Sequence, residues 1–313
     1  MPPWTTDEIP DLAGRTAVVT GANSGLGFES ALALARSGAE VVLACRDQAK
    51  GADALDRITG SVPSATLSLD PLDLADLSSV RAFASRFGDT HPGLDLLVNN
   101  AGVMAVPRRE TADGFEMQFG TNHLGHFALT GLLIDALLAR PGARVVTVSS
   151  SAAQAGRIRF DDLQGTHRYG KWSAYSQSKL ANQLFTLELD RRSSRRGVDL
   201  VSVAAHPGYA ATNLQAVGPK MSGSFLMERL MDLGNSIFGQ SAAGGARPSL
   251  YAAAAPGLLG GQYFGPDGFM GMRGAPTAVP FVKAARDPAV AQRLWEISEE
   301  LTGVRFDALD GEG

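Results

Sequence analysis

Two residues whose side chains suit proton transfer, Tyr175 and Lys179, lie four positions apart in a stretch with a helical pattern. On an α-helix, positions i and i+4 share one face, so a phenol and an ammonium would be held side by side. A neighbouring positive charge favours the phenolate and lowers the pKa of the tyrosine, which suits it to act as a general acid or base. The spacing therefore predicts proton-transfer chemistry at Tyr175, although an accidental surface pair has the same spacing.

A short apolar run near the amino terminus leads directly into a glycine-rich turn. Thr16–Thr20 predicts a buried strand, residues 21–27 follow with G-x-x-x-G-x-G spacing, and residues 28–37 have a helical pattern. Glycines permit a tight turn and let a pyrophosphate approach a helix N-terminus, whose free N–H groups and dipole favour an anion. The alternative is a purely structural turn. The predicted phosphate loop comprises Gly21, Ala22, Asn23, Ser24, Gly25, Leu26 and Gly27.

A second apolar run, residues 41–44, predicts the next parallel strand and is followed by Cys45, Arg46 and Asp47. In this type of fold the strand end faces the adenine ribose, where an acidic residue binds the 2′-hydroxyl and an arginine suits a 2′-phosphate. Arg46 therefore favours NADP(H) over NAD(H). NAD(H) stays open because Asp47 could pair with Arg46 or repel the phosphate, and Arg46 could also be an ordinary solvated residue.

Further motifs, in the same order along the chain, resemble those of the short-chain dehydrogenase/reductase family. The resemblance covers about residues 14–208. It rests on TGANSGLG at 20–27, Asp73-Leu74, NNAG at 99–102, Asn122, Ser150, the Tyr175/Lys179 pair and Pro207-Gly208. The stretches LACRD at 43–47, NHLGHF at 122–127 and LQG at 163–165 are most similar to the branch that includes retinol dehydrogenases and protochlorophyllide reductases.

The resemblance implies a role for each of four catalytic residues. Tyr175 would donate a proton to a ketone oxygen in reduction and accept the alcohol proton in oxidation. Lys179 would hold the nicotinamide ribose hydroxyls and stabilise the phenolate. Ser150 would hydrogen-bond the carbonyl oxygen, although a serine on either side could take its place. Asn122 would hold a water that relays protons through Lys179.

The resemblance also implies a larger set of cofactor contacts at the carboxyl ends of successive strands. Besides the glycine-rich turn and Arg46, this set comprises Asp73, Leu74, Asn99, Asn100, Ala101, Gly102, Tyr175, Lys179, Pro207, Gly208, Ala210 and Thr212.

The sequence contains no motif for acyl transfer or for metal binding. Ser150 is not in a G-x-S-x-G elbow, so acyl transfer is disfavoured. His123 and His126 are three positions apart and have neither a third ligand nor an H-E-x-x-H pattern. We therefore predict no metal site, and we expect both histidines to pack or hydrogen-bond on the helix that carries Asn122.

Length, composition and charge agree with a soluble enzyme. The chain has 313 residues, of which 44% are hydrophobic, and a formal charge of −4 without the basic patch typical of nucleic-acid binding. Residues 1–8 lack the pattern of a signal peptide, and no run of 18 apolar residues predicts a membrane span. A single cysteine, Cys45, fits a reducing cytoplasm. Assembly into a homo-oligomer stays open.

Strand-like and helix-like segments alternate without a polar linker, which favours one α/β domain over residues 1–313. A helix is predicted over residues 78–87, with Asp76 as its N-cap. Right-handed crossovers would give a doubly wound Rossmann-like fold with a seven-stranded parallel sheet flanked by helices and the cofactor at the strands' carboxyl ends. The predicted strands cover residues 16–20, 41–44, 66–69, 94–98, 144–148, 200–204 and 262–264.

Residues 211–244 are rich in leucine, methionine and phenylalanine and resemble the family's variable substrate-binding segment. Flexible methionines suit an adaptable apolar pocket or a lid that closes over substrate. The alternative is a packed amphipathic helix, because Leu226, Leu230, Leu233 and Ile237 form one stripe.

These observations predict an NADP(H)-dependent oxidoreductase that interconverts a carbonyl and an alcohol on a mostly apolar small molecule. The cofactor would supply the hydride, and the protein would position it and manage one proton. One alternative is reduction of a C=C bond, as in the protochlorophyllide reductases. Another is a non-catalytic NADP-binding sensor or scaffold, which would not need the proton-transfer residues.

Overall fold

The centre of the protein is one mostly parallel sheet. The computed structural model describes residues 3–208 and 241–310. Its strands are β1 Thr16–Thr20, β2 Glu40–Cys45, β3 Leu67–Pro71, β4 Leu96–Asn99, β5 Ala143–Val148, β6 Leu200–Ala205, β7 Tyr263–Pro266 and β8 Pro276–Ala278. Their order is β3-β2-β1-β4-β5-β6-β7-β8, and only the β7–β8 pair is antiparallel within the described ranges. Near-continuous apolar runs such as β1 form parallel strands because both faces of such a sheet are covered.

Helices fill most of the connections between the strands. They are α1 Gly25–Arg36, α2 Gln48–Ser61, α3 Leu77–Thr90, α4 Met117–Phe119, α5 Gly125–Leu132, α6 Ile134–Leu138, α7 Lys171–Arg196, α8 Ala242–Ala254, α9 Pro288–Thr302 and α10 Asp307–Asp310. A π-helical turn, Gly120–Leu124, joins α4 to α5. The predicted N-cap of α3 is confirmed, because the Asp76 carboxylate accepts hydrogen bonds from the backbone N–H groups of Ser78 and Ser79.

Two apolar clusters cover the two faces of the sheet. Val18 belongs to one cluster, and Ala17 and Val19 belong to the other, because successive side chains of a strand point to opposite faces. In the first cluster the ring of Trp295 on α9 lies 5.0 Å from the ring of Phe127 on α5, measured between centroids. This edge-to-face contact fixes α5, which follows the turn that carries Asn122.

All seven predicted parallel strands are present, but the prediction of a seven-stranded sheet is incomplete. The eighth strand, β8, is three residues long, begins with Pro276 and is only partly covered. It returns as a hairpin from β7, with Phe264 opposite Ala278. A short edge strand that contains proline has neither an apolar run nor an alternating pattern by which the sequence could reveal it.

The strand order reverses between β1 and β4, which creates the position where a doubly wound sheet binds its ligand. The chain continues outward from β1 through β2 to β3, then crosses back to β4 on the other side of β1. Crossovers that diverge in this way leave a crevice at the carboxyl ends of the two strands. Gly21 follows β1 and Asn100 follows β4, so the glycine-rich turn and the NNAG stretch meet there.

Most of the predicted substrate segment, residues 211–244, lies outside the described residues. Its last four positions are described, and there the Ser241 hydroxyl caps α8 by accepting a hydrogen bond from the N–H of Gly244. Within residues 3–208 and 241–310, no helix combines the length and the apolar character needed to cross a membrane.

Candidate active site

A cleft of about 290 Å³ opens where β1 and β4 diverge. The predicted cofactor residues that line it come from the carboxyl ends of β1 to β4. They are Gly21, Asn23, Ser24, Gly25, Leu26, Gly27, Arg46, Asp73, Leu74, Asn100, Ala101 and Gly102. Segments far apart in the sequence thus form one continuous surface.

The glycine-rich turn forms a cradle that side chains would fill. A Cβ placed on Gly27 would lie 2.3 Å from the carbonyl oxygen of Gly21, and Gly21 has a φ of +66°, which disfavours other residues. Ser24 precedes α1, but its side chain makes no capping hydrogen bond. The first N–H groups of α1 therefore point at the cleft without a side-chain cap, and the cradle fits the pyrophosphate of a dinucleotide.

Hydrogen bonds from the end of β4 to the end of β1 fix the floor of the cleft. The amide Nδ2 of Asn100 donates to the carbonyl oxygen of Thr20 at 2.8 Å. The backbone N–H groups of Asn100 and Ala101 both donate to the Thr20 hydroxyl, each at 2.9 Å. The two loops that would bind the cofactor are thereby tied to each other.

Arg46 lies at the open end of the cleft, with 69% of its side chain exposed and its Nη1 4.0 Å from Oδ2 of Asp73. Asp47 does not pair with Arg46. Its carboxylate caps α2 and forms an ion pair of 2.7 Å with Lys50, and the hydrogen bond from Lys50 is the main reason that the pKa of Asp47 is lowered. A guanidinium therefore remains accessible at the position where a 2′-phosphate would lie.

Lys50 also lines the cleft, and the sequence analysis did not include it. It lies four positions after Arg46, in the first turn of α2, so both cations can reach the same end of the cleft. That spacing is the signal by which the sequence could have identified it.

Tyr175 is 5% exposed, and the Ser150 side chain lies beside its phenol. Burial raises the pKa of Tyr175 to about 12, and the neighbouring Ser150 hydroxyl offsets only part of that effect. The prediction that Lys179 lowers this pKa is wrong for this structure. The Lys179 ammonium donates instead to the carbonyl oxygen of Val148 at 2.9 Å and lies 5.9 Å from the centre of the tyrosine ring.

Lys179 is buried on α7, and burial lowers its pKa to about 8. Its acceptor, the Val148 carbonyl at the end of β5, also receives Nδ2 of Asn182 at 3.1 Å. The neighbouring serines have separate contacts: the Ser149 hydroxyl donates to the Lys179 carbonyl at 2.8 Å, whereas Ser150 contacts the phenol. The strand end thus holds both the lysine and the tyrosine of α7.

Asn122 lies in the π-helical turn, where its carboxamide clamps the chain that follows β4. Its Oδ1 accepts from the N–H of Val103 at 2.8 Å, and its Nδ2 donates to the Val103 carbonyl and to the Ser178 hydroxyl, each at 2.9 Å. A Cβ placed on Gly102 would lie 2.9 Å from Oδ1 of Asn122 and 3.8 Å from Nζ of Lys179. The Gly102 end of the cleft therefore adjoins both residues.

The remaining predicted residues do not line the cleft or cannot be placed. Ala22 and Asn99 are buried behind it, and the Asn99 amide donates to the Thr130 hydroxyl at 3.1 Å. Pro207 and Gly208 follow β6, and the N–H of Gly208 donates to Nδ1 of His206. Ala210 and Thr212 lie outside the described residues.

The histidines of the NHLGHF stretch are buried and hydrogen-bonded, as predicted. Nε2 of His123 lies 2.9 Å from the Ser298 hydroxyl, and Nε2 of His126 lies 2.9 Å from the Thr20 hydroxyl. In the part of the chain that the structure describes, no group of three or more His, Cys, Asp or Glu side chains is placed to hold a metal ion.

Known sequences resemble this chain over nearly its whole length. A model of the short chain dehydrogenase family matches residues 15–221. Retinol dehydrogenase 12 of Mus musculus is 42% identical over 305 residues, which are 97% of this chain and 90% of that protein. Retinol dehydrogenase 13 of Homo sapiens is 43% identical over 297 residues, which are 94% of this chain and 86% of that protein.

Solved structures agree with the sequence comparisons. The crystal structure of an uncharacterized protein from Mycobacterium paratuberculosis has a TM-score of 0.80 and 46% identity, covering 97% of this chain and 99% of that one. A structure from Beutenbergia cavernae, described as an NAD(P) dependent gluconate 5-dehydrogenase with bound NADP, has a TM-score of 0.61 and 29% identity. It covers 81% of this chain and 95% of that one.

Proposed function

We propose, from the premise that the chain belongs to the short-chain dehydrogenase family, that this oxidoreductase interconverts a carbonyl and an alcohol with NADP(H). The observation that carries the proposal is the buried Tyr175 phenol beside the Ser150 side chain, on the strand end that also holds Lys179. Lys179 adjoins the Gly102 end of the cleft, which supports a proton-transfer site next to the surface that would bind the nucleotide.

When bound, NADP(H) would supply the hydride in reduction or accept it in oxidation. Tyr175 is protonated at neutral pH, because burial raises its pKa to about 12. Its phenol would donate this proton to the substrate oxygen during carbonyl reduction. The Ser150 hydroxyl would donate a hydrogen bond to the same oxygen as negative charge develops on it. The Lys179 ammonium, next to the Gly102 end of the cleft, would hold the ribose hydroxyls.

Three features support NADP(H) as the cofactor. Arg46 and Lys50 place two cations at the ribose end of the cleft, and the acidic side chain between them, Asp47, is occupied as the cap of α2. A guanidinium binds a phosphate through two parallel charge-assisted hydrogen bonds. The related structure from Beutenbergia cavernae carries NADP.

The substrate class is inferred from the relatives. Retinol dehydrogenases 11 to 14 are 40–43% identical to this chain, and their name specifies an apolar alcohol. We therefore infer an apolar alcohol and its aldehyde or ketone as the substrate pair.

A panel of apolar aldehydes, ketones and alcohols, with retinal and retinol included, tests this function. Each compound would be incubated with NADPH or NADH, or with the oxidised forms, and the products identified by mass spectrometry. We expect carbonyl reduction and alcohol oxidation. A product reduced at a C=C bond would replace the proposal with the first alternative, and tight NADPH binding without turnover of any compound would favour the sensor.

Replacing Arg46 with alanine is expected to weaken NADPH binding by about 10- to 100-fold, the range for loss of hydrogen bonds to a charged group, and to change NADH binding much less. Lys50→Ala should have a smaller effect in the same direction, because Lys50 also pairs with Asp47. Fluorescence titration with both cofactors measures the two affinities, and replacement of the exposed Arg36, the last residue of α1, with alanine is the control. Equal losses for both cofactors would remove Arg46 from this role.

The rate of alcohol oxidation is expected to rise with pH between pH 7 and 10, whereas carbonyl reduction should change little below pH 8. Oxidation needs Tyr175 as the phenolate, and the raised pKa of about 12 keeps that form scarce at neutral pH. Initial rates at saturating cofactor would show the profile, and a deuterated alcohol would confirm that hydride transfer limits them. An oxidation rate that stays constant over this range would contradict the assignment of Tyr175 as the base.

A further inference from the structure

His126 makes two contacts that join separate parts of the site. Its ring is buried, with Nδ1 3.1 Å from the backbone carbonyl oxygen of Asn122 and Nε2 2.9 Å from the Thr20 hydroxyl. Asn122 belongs to the π-helical turn, and Thr20 ends β1 immediately before the glycine-rich turn. The proposed mechanism gives this histidine no part.

The partners of His126 determine where its proton lies. The Asn122 carbonyl can only accept a hydrogen bond, so Nδ1 must carry the proton. Burial lowers the pKa of His126 to about 4, so the ring is neutral and Nε2 has a free lone pair. The Thr20 hydroxyl has one proton and two possible acceptors, Nε2 of His126 at 2.9 Å and the Val98 carbonyl oxygen at 3.3 Å, and it donates to the nearer Nε2. It also accepts from the N–H groups of Asn100 and Ala101. Both ring nitrogens of His126 and all hydrogen-bonding positions of this hydroxyl are thus used.

The chain of hydrogen bonds through His126 connects two parts of the site. One end is the backbone of Asn100 and Ala101, which lines the cofactor cleft. The other end is Asn122, whose carboxamide clamps Val103 and contacts Ser178, the neighbour of Lys179 on α7. A shift of the imidazole would therefore disturb the cofactor floor on one side and the turn next to Lys179 on the other.

We propose that His126 is a positioning residue that couples the cofactor cleft to the catalytic turn, holding Thr20 through Nε2 and the Asn122 carbonyl through Nδ1. The effect of His126 on kcat rests on the proposed function, whereas its effect on the cleft requires only that the protein binds NADPH.

Substitution of His126 with asparagine or glutamine distinguishes the two hydrogen bonds of the imidazole. Asparagine places an N–H group near the position of Nδ1, so His126→Asn keeps a donor to the Asn122 carbonyl and loses the contact with Thr20. Glutamine places its oxygen near the position of Nε2, so His126→Gln keeps an acceptor for the Thr20 hydroxyl and loses the contact with Asn122. His126→Phe removes both and keeps the ring.

His126→Asn is expected to raise the Kd of NADPH by about five- to tenfold, the effect of one lost hydrogen bond, and to leave kcat within about twofold of wild type. His126→Gln should reverse the pattern, lowering kcat by about five- to tenfold with little change in the Kd of NADPH. His126→Phe should show both losses. Fluorescence titration with NADPH gives Kd without any substrate, and steady-state rates on the best substrate of the panel give kcat.

His123→Phe is the matched control. His123 is also buried and lies in the π-helical turn just before α5, but its Nε2 contacts the Ser298 hydroxyl on α9. Loss of the His123 imidazole should lower Tm. It should not change the Kd of NADPH and kcat by different factors. Equal effects of the asparagine and glutamine variants on the two quantities would overturn the proposal, because a purely structural residue would act in that way.

The tautomer provides a readout that does not depend on activity. ¹⁵N NMR of the histidine rings in the full-length protein is expected to show His126 protonated at Nδ1 and unprotonated at Nε2 at pH 7. A proton on Nε2 would break the chain at Thr20 and overturn the proposal. If no compound in the panel is turned over, the proposed function fails, while the NADPH affinities and the tautomer still decide the role of His126 at the cleft.

Discussion

Replacing Tyr175 with phenylalanine is expected to lower kcat by about 10²–10⁴-fold, the usual contribution of a general acid or base, and to leave NADPH binding close to wild type. The phenylalanine ring can occupy the same buried position next to Trp172, so the fold should be kept. The variant has no proton to give to the substrate oxygen, and Ser150 cannot substitute because its hydroxyl is a far weaker acid. Single-turnover rates with NADPH and the best carbonyl substrate of the panel measure the effect.

Tyr251→Phe is a suitable control for this experiment. Tyr251 lies on α8 in an aromatic group with Trp4 and Phe264, so its substitution removes a phenol hydroxyl without touching the Ser150 strand end. Its kcat should stay near wild type. If Tyr175→Phe transferred hydride at a near-normal rate, the proton would have to come from another group and the assigned acid would be wrong.

Replacing Lys179 with methionine is expected to abolish turnover and, at the same time, to stabilise the protein at pH 7. Burial lowers the pKa of Lys179 from its ordinary value of 10.5 to about 8. Keeping Lys179 protonated in the folded protein therefore has a cost in the free energy of unfolding. The cost is present in full below pH 8 and falls as pH rises toward 10.5, where the unfolded chain also loses the proton. The shift corresponds to a gain of up to about 3 kcal/mol in the free energy of unfolding of the variant at pH 7.

Lys179→Met does not leave the Val148 carbonyl without a hydrogen-bond donor, because Asn182 still donates to it. Urea unfolding at pH 7 and pH 9.5 measures the effect, and the stability gain should shrink by more than half at the higher pH. Lys171→Met, at the exposed start of the same helix, should change stability little at either pH. If Lys179→Met were less stable than wild type, or if its gain in stability did not depend on pH, burial of the ammonium would not be what destabilises the wild-type protein.

The parts of the structure that follow from local pattern could be predicted. Apolar runs such as Thr16–Thr20 form buried strands, and the side chains that follow them lie together because parallel strands end on the same edge of the sheet. The glycine-rich turn and Arg46 line the cleft for that reason. Asp76 caps α3 because its position relative to the helix is a short-range property of the sequence.

What could not be predicted depends on burial and on distant partners. The i, i+4 spacing of Tyr175 and Lys179 holds, but the spacing does not reveal that the ammonium would turn to the Val148 carbonyl and that burial would raise the pKa of the phenol. The pairing of His126 with Thr20 joins residues 106 positions apart, and no local pattern specifies such a contact. β8 exists only as the return of a hairpin from β7.

The two outermost strands of the described sheet share a composition that bears on aggregation. β3 ends in Pro71, and β8, at the opposite edge, is three residues long and begins with Pro276. Proline has no N–H group to offer a new strand, and a short edge provides few groups to pair with. Among the strands that the structure describes, growth of the sheet by edge-to-edge addition of a second molecule is therefore disfavoured at both ends, which protects a chain with a large apolar sheet from fibre-like assembly.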